Sequence, residues 1–414
     1  MTAISPFRRL LVATGLSSFG DGVRWIAMPL MATQLTDDPR LIAGVLIADR
    51  LPWLLFLLPG GALADRFDRL RMRVVLDGFR AVLGTAFVVL AATGHAGLSM
   101  IYAVTVLMAS ADAIVDSSSM ALVPALVEPD ELEHAAGHLQ GTEIVTRDLL
   151  GPALGGVLFT FGLVVPLAVD AVSFAVSAAV AVTIRGSFRA AASEHSDVGV
   201  RAAAGDMARS IGAGLTWLWR QPTLRSLACL STVLGMVSTC FWSVLVIFVT
   251  DDLGLGPGAF GLLMIPSAIG GLIGSWVAPR LRRFPLAAAV GGGVIVSGSA
   301  EIFIASTSTI GLVVVLLVVD MAGVLVWNVL TVAFRQRTIP DEMLGRVSSS
   351  YRFLLSLGAP LGALVGGTLA SAVGARTTML IAGSATCAAG AAAIVVLGWS
   401  ATSHTRLTPR SVPA

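Results

Sequence analysis

The sequence has little charge for its length. Only 13% of its 414 residues are charged, about half of the roughly 25% found in soluble domains, and its mean hydropathy is +0.86. Lysine is absent, so all 27 basic side chains are arginine, opposed by 25 acidic ones. The composition excludes an ordinary soluble domain, and a net charge of +2 gives no reason to expect nucleic acid as a partner. We therefore expect a polytopic membrane protein embedded in the lipid bilayer.

Residues that bind metals, nucleotides or cofactors are also scarce. The three cysteines, Cys229, Cys240 and Cys387, lie inside apolar runs without metal-ligand spacing, so we expect free thiols and no metal site. The sequence has no phosphate-binding loop that ends in Lys-Ser or Lys-Thr, and no cluster of His and Cys. We therefore expect no enzyme active site, no cofactor and no hydrolysis of ATP by the chain itself.

Long apolar runs predict twelve transmembrane helices, since about 20 apolar residues cross a bilayer core as a helix. The first run, residues 10–35, is too long for a cleavable signal and should remain as the first span. The predicted spans cover residues 10–33, 42–64, 73–93, 98–121, 141–162, 164–184, 224–249, 258–279, 284–305, 309–334, 347–371 and 377–399.

The arginines predict the orientation, because basic residues near span ends are retained in the cytoplasm. With the N-terminus inside, most arginines fall in cytoplasmic segments, and the outer loops contain only Arg40 and Arg376. We therefore expect both termini to be cytoplasmic, in the plasma membrane. The polar stretch 185–223 is predicted to be a cytoplasmic linker between two six-helix halves, residues 1–184 and 224–399, and 400–414 a cytoplasmic tail.

An internal repeat supports this division. Two matches occur at one common offset: Pro129-Asp130-Glu131-Leu132 recurs as Pro340-Asp341-Glu342-Met343, and Gly151, Gly155 and Gly156 recur as Gly362, Gly366 and Gly367. Repeats of this kind are typical of transporter folds built from duplicated helical units. The sequence therefore predicts an all-α polytopic membrane protein with two pseudo-symmetric halves.

Three groups of motifs resemble a known superfamily. The loop Gly61-Ala62-Leu63-Ala64-Asp65-Arg66-Phe67-Asp68-Arg69-Leu70-Arg71 resembles the loop motif of the major facilitator superfamily, with Asp68 where glycine is commonest. In span five, Gly151-Pro152-Ala153-Leu154-Gly155-Gly156 is similar to the antiporter signature of drug and proton exchangers in that superfamily, although Arg147 stands upstream where a small residue is common. Three shorter stretches resemble the branch of macrolide efflux proteins and the enterobactin exporter. They are Ser18-Phe19-Gly20-Asp21-Gly22, Asp170-Ala171-Val172-Ser173-Phe174 and Gly345-Arg346-Val347-Ser348.

The resemblance covers residues 8–400 and implies the major facilitator fold. It also implies a monomeric secondary active transporter that exports an amphipathic small molecule, such as a drug, macrolide, siderophore or secondary metabolite, in exchange for protons by alternating access. Two alternatives remain: a proton-coupled importer of a small solute, and a non-transporting receptor or assembly protein of the same fold. Span four lacks the superfamily's basic motif, so no proton-relay role is carried over there.

Ionisable residues inside the predicted spans are the candidates for proton coupling or substrate binding, because charge in the bilayer is costly. Asp21 lies about 18 Å beyond Arg9 along a helix, near the bilayer centre, and Arg24 shares its face. Asp21 either exchanges a proton or meets a cationic substrate while Arg24 tunes it, or the two form a permanent ion pair. The full set of candidates is Asp21, Arg24, Glu143, Arg147, Asp148 and Asp320.

The resemblance further implies a cytoplasmic gate. Carried over onto this sequence, Asp65 faces the start of span eleven near Arg346, and Arg69 pairs with Asp116. The gate residues are Gly61, Asp65, Arg66, Arg69, Asp112, Asp116 and Arg346, and the span-five motif Gly151, Pro152, Gly155 and Gly156 is predicted to pack closely and to slide or bend. Structural roles are favoured for a further set of embedded residues: Asp49, Arg50, Asp77, Arg80, Asp170, Glu301, Asp320 and Arg352. Asp170 and Glu301 are predicted to lie close enough to the outer surface for water to reach them, and Asp320 is deeper, with lining of the cavity as its alternative role.

Overall fold

The computed structural model of the chain describes residues 5–56, 68–186, 188, 209 and 212–405. These residues contain helices and turns and no strand. The helices are α1 (Pro6–Thr33), α2 (Pro39–Phe56), α3 (Arg69–Ala92), α4 (Leu98–Leu122), α5 (Leu132–Glu143), α6 (Gly151–Thr160), α7 (Val164–Val182), α8 (Pro222–Ile247), α9 (Pro257–Leu281), α10 (Leu286–Ser306), α11 (Ile310–Thr338), α12 (Asp341–Val373) and α13 (Ala375–Thr405). A π-helix, Ile144–Leu150, joins α5 to α6, and another, Phe248–Asp252, extends α8.

Nine helical segments in the described part of the chain are long and apolar enough to cross a membrane. They are Arg69–Ala92, Leu98–Met120, Val164–Val182, Pro222–Asp252, Gly258–Leu281, Leu286–Ser306, Ile310–Thr338, Arg346–Val373 and Ala375–Gly398. Their positions agree with nine of the spans predicted from the apolar runs.

The other three predicted spans also fall on helices. The first coincides with α1 and the second begins in α2. The fifth, 141–162, overlaps the later part of the continuous helical run from α5 through α6, which begins earlier, at Leu132. Charges such as Asp21 in α1 and Arg147 in the fifth segment lower the hydropathy of these segments. Residues 57–64 of the predicted second span lie outside the described residues.

The helices group into two compact units. Unit 1 comprises the described parts of 1–208 together with 246–265, and unit 2 comprises those of 209–245 and 266–414. In unit 1, α1 packs against α6 and α7, α3 against α4 and α7, and α2 against α4. In unit 2, α10 packs against both α11 and α13.

Small residues permit the closest of these approaches. In unit 2, a side chain at Gly298 of α10 would lie 2.7 Å from the backbone nitrogen of Cys387 in α13, and one at Gly291 would lie 2.6 Å from the carbonyl oxygen of Gly390. Glycine is therefore required for the helices to pack backbone against backbone. This packing brings polar groups of α10, α11 and α13 into contact with one another.

Candidate functional site

An ion pair on α1 forms the centre of the charged site in unit 1. Asp21 and Arg24 lie one helical turn apart, and Nη2 of Arg24 donates a hydrogen bond of 2.7 Å to Oδ1 of Asp21. Both side chains are buried. The predicted pairing of these two residues is therefore present in the structure.

Two further arginines reach the same carboxylate from other elements. Arg80 of α3 lies 3.2 Å from Oδ2 of Asp21, and Arg147 of the π-helix lies 3.4 Å from it. Both arginines also contact Asp112 of α4, where Nη2 of Arg147 is 2.7 Å from each carboxylate oxygen and Nη1 of Arg80 is 3.5 Å from Oδ1. Asp21 and Asp112 therefore share two arginines, and these contacts join four helical elements.

Additional ion pairs extend the site. Asp77 of α3 pairs with Arg80, lies 3.6 Å from Arg73 and accepts a 2.7 Å hydrogen bond from Ser177 of α7. Arg24 lies 3.6 Å from Asp49 of α2 and 3.9 Å from Asp170 of α7. We call the following nine residues the charge cluster: Asp21, Arg24, Asp49, Arg73, Asp77, Arg80, Asp112, Arg147 and Asp170.

Arg147 is the most accessible of the four arginines in the charge cluster. Its side chain is 26% exposed, whereas those of Arg24, Arg73 and Arg80 are at most 3% exposed. Its guanidinium lies 5.6 Å from the centre of the Trp53 ring, which leaves an aromatic surface beside an exposed charge. An incoming proton or charged ligand can therefore compete most readily for the contacts of Arg147.

A small cavity adjoins the charge cluster at Arg24. It is also lined by Trp25, Asp49 and Thr105. Nε of Arg24, Nε1 of Trp25 and Oγ1 of Thr105 are buried and have no hydrogen-bond partner in the described part of the chain. Buried donors of this kind are normally satisfied by water or by a ligand, so this cavity suits a polar atom.

Among the described residues, the other three predicted coupling candidates form no ion pair with this centre, although Glu143 and Asp148 are close enough to interact electrostatically with Arg147. Glu143 is half-buried, one helical turn before Arg147, and Asp148 is exposed on the π-helix. Asp320 is fully buried in α11 of unit 2. The structure therefore brings Asp21, Arg24 and Arg147 together, whereas Asp148 and Asp320 are in different surroundings.

The span-five glycines pack against helix backbone, as predicted. A Cβ atom added at Gly151 would lie 2.6 Å from Cα of Gly22, and a Cβ atom added at Gly155 would lie 3.0 Å from Cα of Val23. At Gly156 it would lie 2.6 Å from the backbone nitrogen of Gly261, and Pro152 is buried between these positions. In unit 2, Gly362 and Gly366 of α12 approach the backbone of α8 in the same way.

The residues predicted to form the gate are only partly described. Gly61, Asp65 and Arg66 lie outside the described residues, so the structure gives no account of them. Arg69 is the first residue of α3 and Arg346 is exposed on α12. Asp116 lies half-buried on α4, one turn beyond Asp112. Asp112 contacts Arg147 and Arg80 inside the charge cluster, and its part in a gate stays a prediction.

Sequence reasoning underestimated the burial of two acids and missed several contacts of the charge cluster. The expectation that water reaches Asp170 and Glu301 is wrong, since they are 2% and 1% exposed. Asp77 and Arg80 have the same three-residue spacing as Asp21 and Arg24. This spacing was the available signal that the members of each pair lie on one face of their helix and can form an ion pair. Arg73 had a related signal, its four-residue spacing from Asp77, but it lies at the predicted start of its span, where a charge is expected to reach water.

Together, the apolar helices of membrane-spanning length, the buried ion pairs and the close glycine packing are typical of a membrane transporter of the major facilitator type. The chain belongs to the transmembrane secretion effector family of that superfamily, whose model matches residues 2–410. It is 26% identical over 387 residues to the multidrug efflux pump Tap of Mycobacterium tuberculosis, covering 90% of this chain and 89% of that protein. Tap of Mycolicibacterium fortuitum is also 26% identical, with 91% and 92% covered.

Solved transporter structures share the fold. A bacterial homologue of the iron transporter ferroportin, in an inward-facing state, matches with a TM-score of 0.71 and 20% identity over 97% of this chain and 100% of that one. The nucleoside transporter NupG matches with a TM-score of 0.74 and 12% identity over 95% and 100%. These similarities establish the fold.

Proposed function

We propose that this protein is a proton-coupled exporter of an amphipathic small molecule, such as a drug or secondary metabolite, and that it works by alternating access in the plasma membrane. The observation that carries the proposal is the arrangement in which Asp21 and Asp112 share Arg80 and Arg147. The similarity to Tap pumps, which are named as multidrug efflux pumps, supports export.

The shared arginines supply a mechanism for coupling. Protonation of Asp21 or Asp112 removes one negative charge, and Arg147 then pairs more strongly with the carboxylate that remains. Because Asp21, Asp112 and Arg147 belong to α1, α4 and the π-helix, this change alters the attraction between three elements. A proton bound at the charge cluster therefore favours a different arrangement of these helices.

A substrate would use the same contacts. An amphipathic molecule places apolar area against Trp53 and Trp25, and its polar atoms accept hydrogen bonds from Arg24 or Thr105 beside the cavity. A proton would bind the Asp21 carboxylate and a substrate would bind the neighbouring Arg147, so each would disturb the ion pair that the other needs, and release of one would be coupled to binding of the other. Glu143 and Asp148 are second candidates for proton transfer on the same segment.

The proposed topology has twelve spans in two halves, with both termini cytoplasmic. Nine apolar helices, together with α1, α2 and the α5–α6 run, support the number of spans. The two halves are supported by the repeated glycines, because Gly151 and Gly155 pack on α1 while Gly362 and Gly366 pack on α8. The arginine distribution supports the orientation.

Accumulation of ethidium and erythromycin in an efflux-deficient bacterial host tests the function. Cells that express the protein should accumulate less of at least one probe, and a protonophore should abolish the difference. Asp21→Asn removes the titrating group at nearly constant size, so uphill efflux should fall at least tenfold while downhill exchange remains detectable. Asp37→Asn is the matched control, because Asp37 is exposed just beyond α1.

Two results would overturn the proposal. The first is unchanged accumulation of both probes in cells whose membranes contain the protein. The second is efflux that persists with protonophore present. Efflux that is unaffected by Asp21→Asn at equal abundance would overturn the role of Asp21 in coupling and would leave Asp112, Glu143 and Asp148 as the acids to test. Abundance is followed by a fluorescent tag at the C-terminus.

A further inference from the structure

Unit 2 contains two acidic side chains in the interior of apolar helices. Glu301 lies on α10 and Asp320 on α11, and they are 1% and 0% exposed. Within the described residues, neither carboxyl has an arginine within ion-pair distance. This contrasts with the charge cluster of unit 1, in which every acid has an arginine partner.

Hydroxyl groups take the place of arginine. Oγ of Ser297 donates a 2.5 Å hydrogen bond to Oδ1 of Asp320, and Oγ1 of Thr386 in α13 donates a 2.8 Å hydrogen bond to Oε2 of Glu301. Ser297 and Glu301 are four residues apart on one face of α10, so the two carboxyl groups face the same side of that helix. Oδ2 of Asp320 is buried without a hydrogen-bond partner among the described residues.

Few other titratable groups face this pair. Cys240 of α8 is close enough to interact electrostatically with Glu301. The arginines of the packed helices lie toward their ends: Arg335 is fifteen residues from Asp320 along α11, and Arg376, near the start of α13, donates to Ala305 and Ser308. No described positive charge is therefore placed to neutralise the two acids.

These surroundings exclude a state in which the carboxyl groups of Glu301 and Asp320 are both ionised. An unpaired anion inside an apolar helix bundle is strongly unfavourable, and two on one face would also repel each other. A hydroxyl donates a single hydrogen bond and carries no net charge. A proton is the smallest species that removes the charge, and the unpaired oxygen of Asp320 is a place for it to bind.

We propose that Glu301 and Asp320 form a proton-binding site in unit 2, in which at least one of the two carboxyl groups is protonated at neutral pH. Its use in transport rests on the proposed function: the site releases its proton when water reaches it and must take one up before it is buried again. Because no arginine can replace the proton, this site differs from the charge cluster, where ion pairs satisfy the acids.

Infrared spectroscopy of the purified full-length protein at neutral pH tests the site directly. The C=O stretching band of a protonated carboxyl is separate from the bands of carboxylates. Asp320→Asn combined with Glu301→Gln should remove at least one carboxyl equivalent of this band, whereas Asp37→Asn, at an exposed acid, should leave it unchanged. An equal band area in the double variant and the wild type would overturn the proposal.

A second pair of variants keeps the test valid if the double variant fails to fold. Ser297→Ala removes the hydroxyl that contacts Asp320 and should shift the frequency of the band. Ser299→Ala is the control, because Ser299 donates to Ile295 within its own helix. A band that is the same in both serine variants and in the wild type would refute the assignment to Asp320.

The infrared result is independent of export. A missing carboxyl band overturns the proton site whether or not ethidium is exported. Absence of ethidium and erythromycin export overturns the proposed function and leaves the infrared expectation unchanged.

Discussion

Gly151→Ala is expected to damage the protein although it adds a single methyl group. That methyl would lie 2.6 Å from Cα of Gly22 and 2.8 Å from the carbonyl oxygen of Phe19. Carbon atoms in contact are separated by about 3.5–4.0 Å, so α6 and α1 must move apart by about 1 Å. The atoms in the way belong to the backbone of α1, which cannot turn aside as a side chain can.

The energetic cost follows from this displacement. Overpacking costs about 1–3 kcal/mol, and the better helix propensity of alanine returns about 1 kcal/mol, so the expected net destabilisation is about 0–2 kcal/mol. The same movement affects Arg147, one helical turn earlier, whose Nη2 is 3.4 Å from Asp21. A separation larger by about 1 Å weakens that ion pair, so efflux should fall by more than stability alone explains.

Heating of detergent-purified protein, followed by size-exclusion chromatography, measures the stability effect. Gly141→Ala is the matched control, since a side chain at Gly141 meets nothing within 4 Å and only improves helix propensity. Gly151→Ala should lose its monodisperse peak at a lower temperature than the wild type, and Gly141→Ala at the same or a higher one. If Gly151→Ala is as stable as Gly141→Ala, the close contact of α6 with α1 does not exist as described.

Two further changes probe the charge cluster. Asp77→Asn leaves Arg73 and Arg80 buried with one carboxylate fewer, so the free energy of unfolding should fall by about 3–5 kcal/mol. Unfolding is measured in micelles with rising dodecyl sulfate. A loss below about 1 kcal/mol contradicts a structural role for Asp77. Arg147→Lys keeps the positive charge but loses the two contacts with Asp112 and the planar group beside Trp53. Probe efflux at equal abundance should therefore fall about tenfold. Wild-type efflux would mean that charge alone suffices at this position.

The positions of the apolar helices could be predicted closely from the sequence. The ninth predicted span, 284–305, corresponds to α10, Leu286–Ser306. Its ends are marked by Pro285 and Thr307, which have extended backbone conformations outside the helix. Where single charges stand inside an apolar run, as in α1 or at Arg147, the span was still predicted because apolar residues continue on both sides of the charge.

Pairings within one helix were predictable, and those between helices were not. Asp21 and Arg24 share a face at any orientation of α1, because their spacing of three residues is close to one turn. The contact of Arg147 with Asp112 joins residues that are 35 apart in sequence. It depends on how each helix is rotated about its axis, which hydrophobicity specifies only weakly in segments that are apolar on every side.

Burial of acids near the span ends was mispredicted for the same reason. The number of residues from a span end estimates depth, but it does not specify which side of the helix faces a neighbour. Glu301 lies five residues from the end of α10, yet it faces α13 and accepts a hydrogen bond from Thr386. The serine and threonine partners of Glu301 and Asp320 had no distinguishing signal among the many hydroxyl residues of the chain.

The π-helix at Ile144–Leu150 determines which way Arg147 points relative to the glycines that follow it. It holds the N–H of Gly151 on the carbonyl of Thr146, five residues back, immediately before Pro152, which has no N–H to donate. Each residue of an α-helix turns the chain by about 100°, so a helix that accommodates one extra residue changes the angle between its two ends by about that amount. Loss of a single residue from this segment would therefore rotate Arg147 away from Asp21 and Asp112 while leaving every side chain of the charge cluster chemically intact. In this segment, chain length specifies the site as strictly as residue identity does.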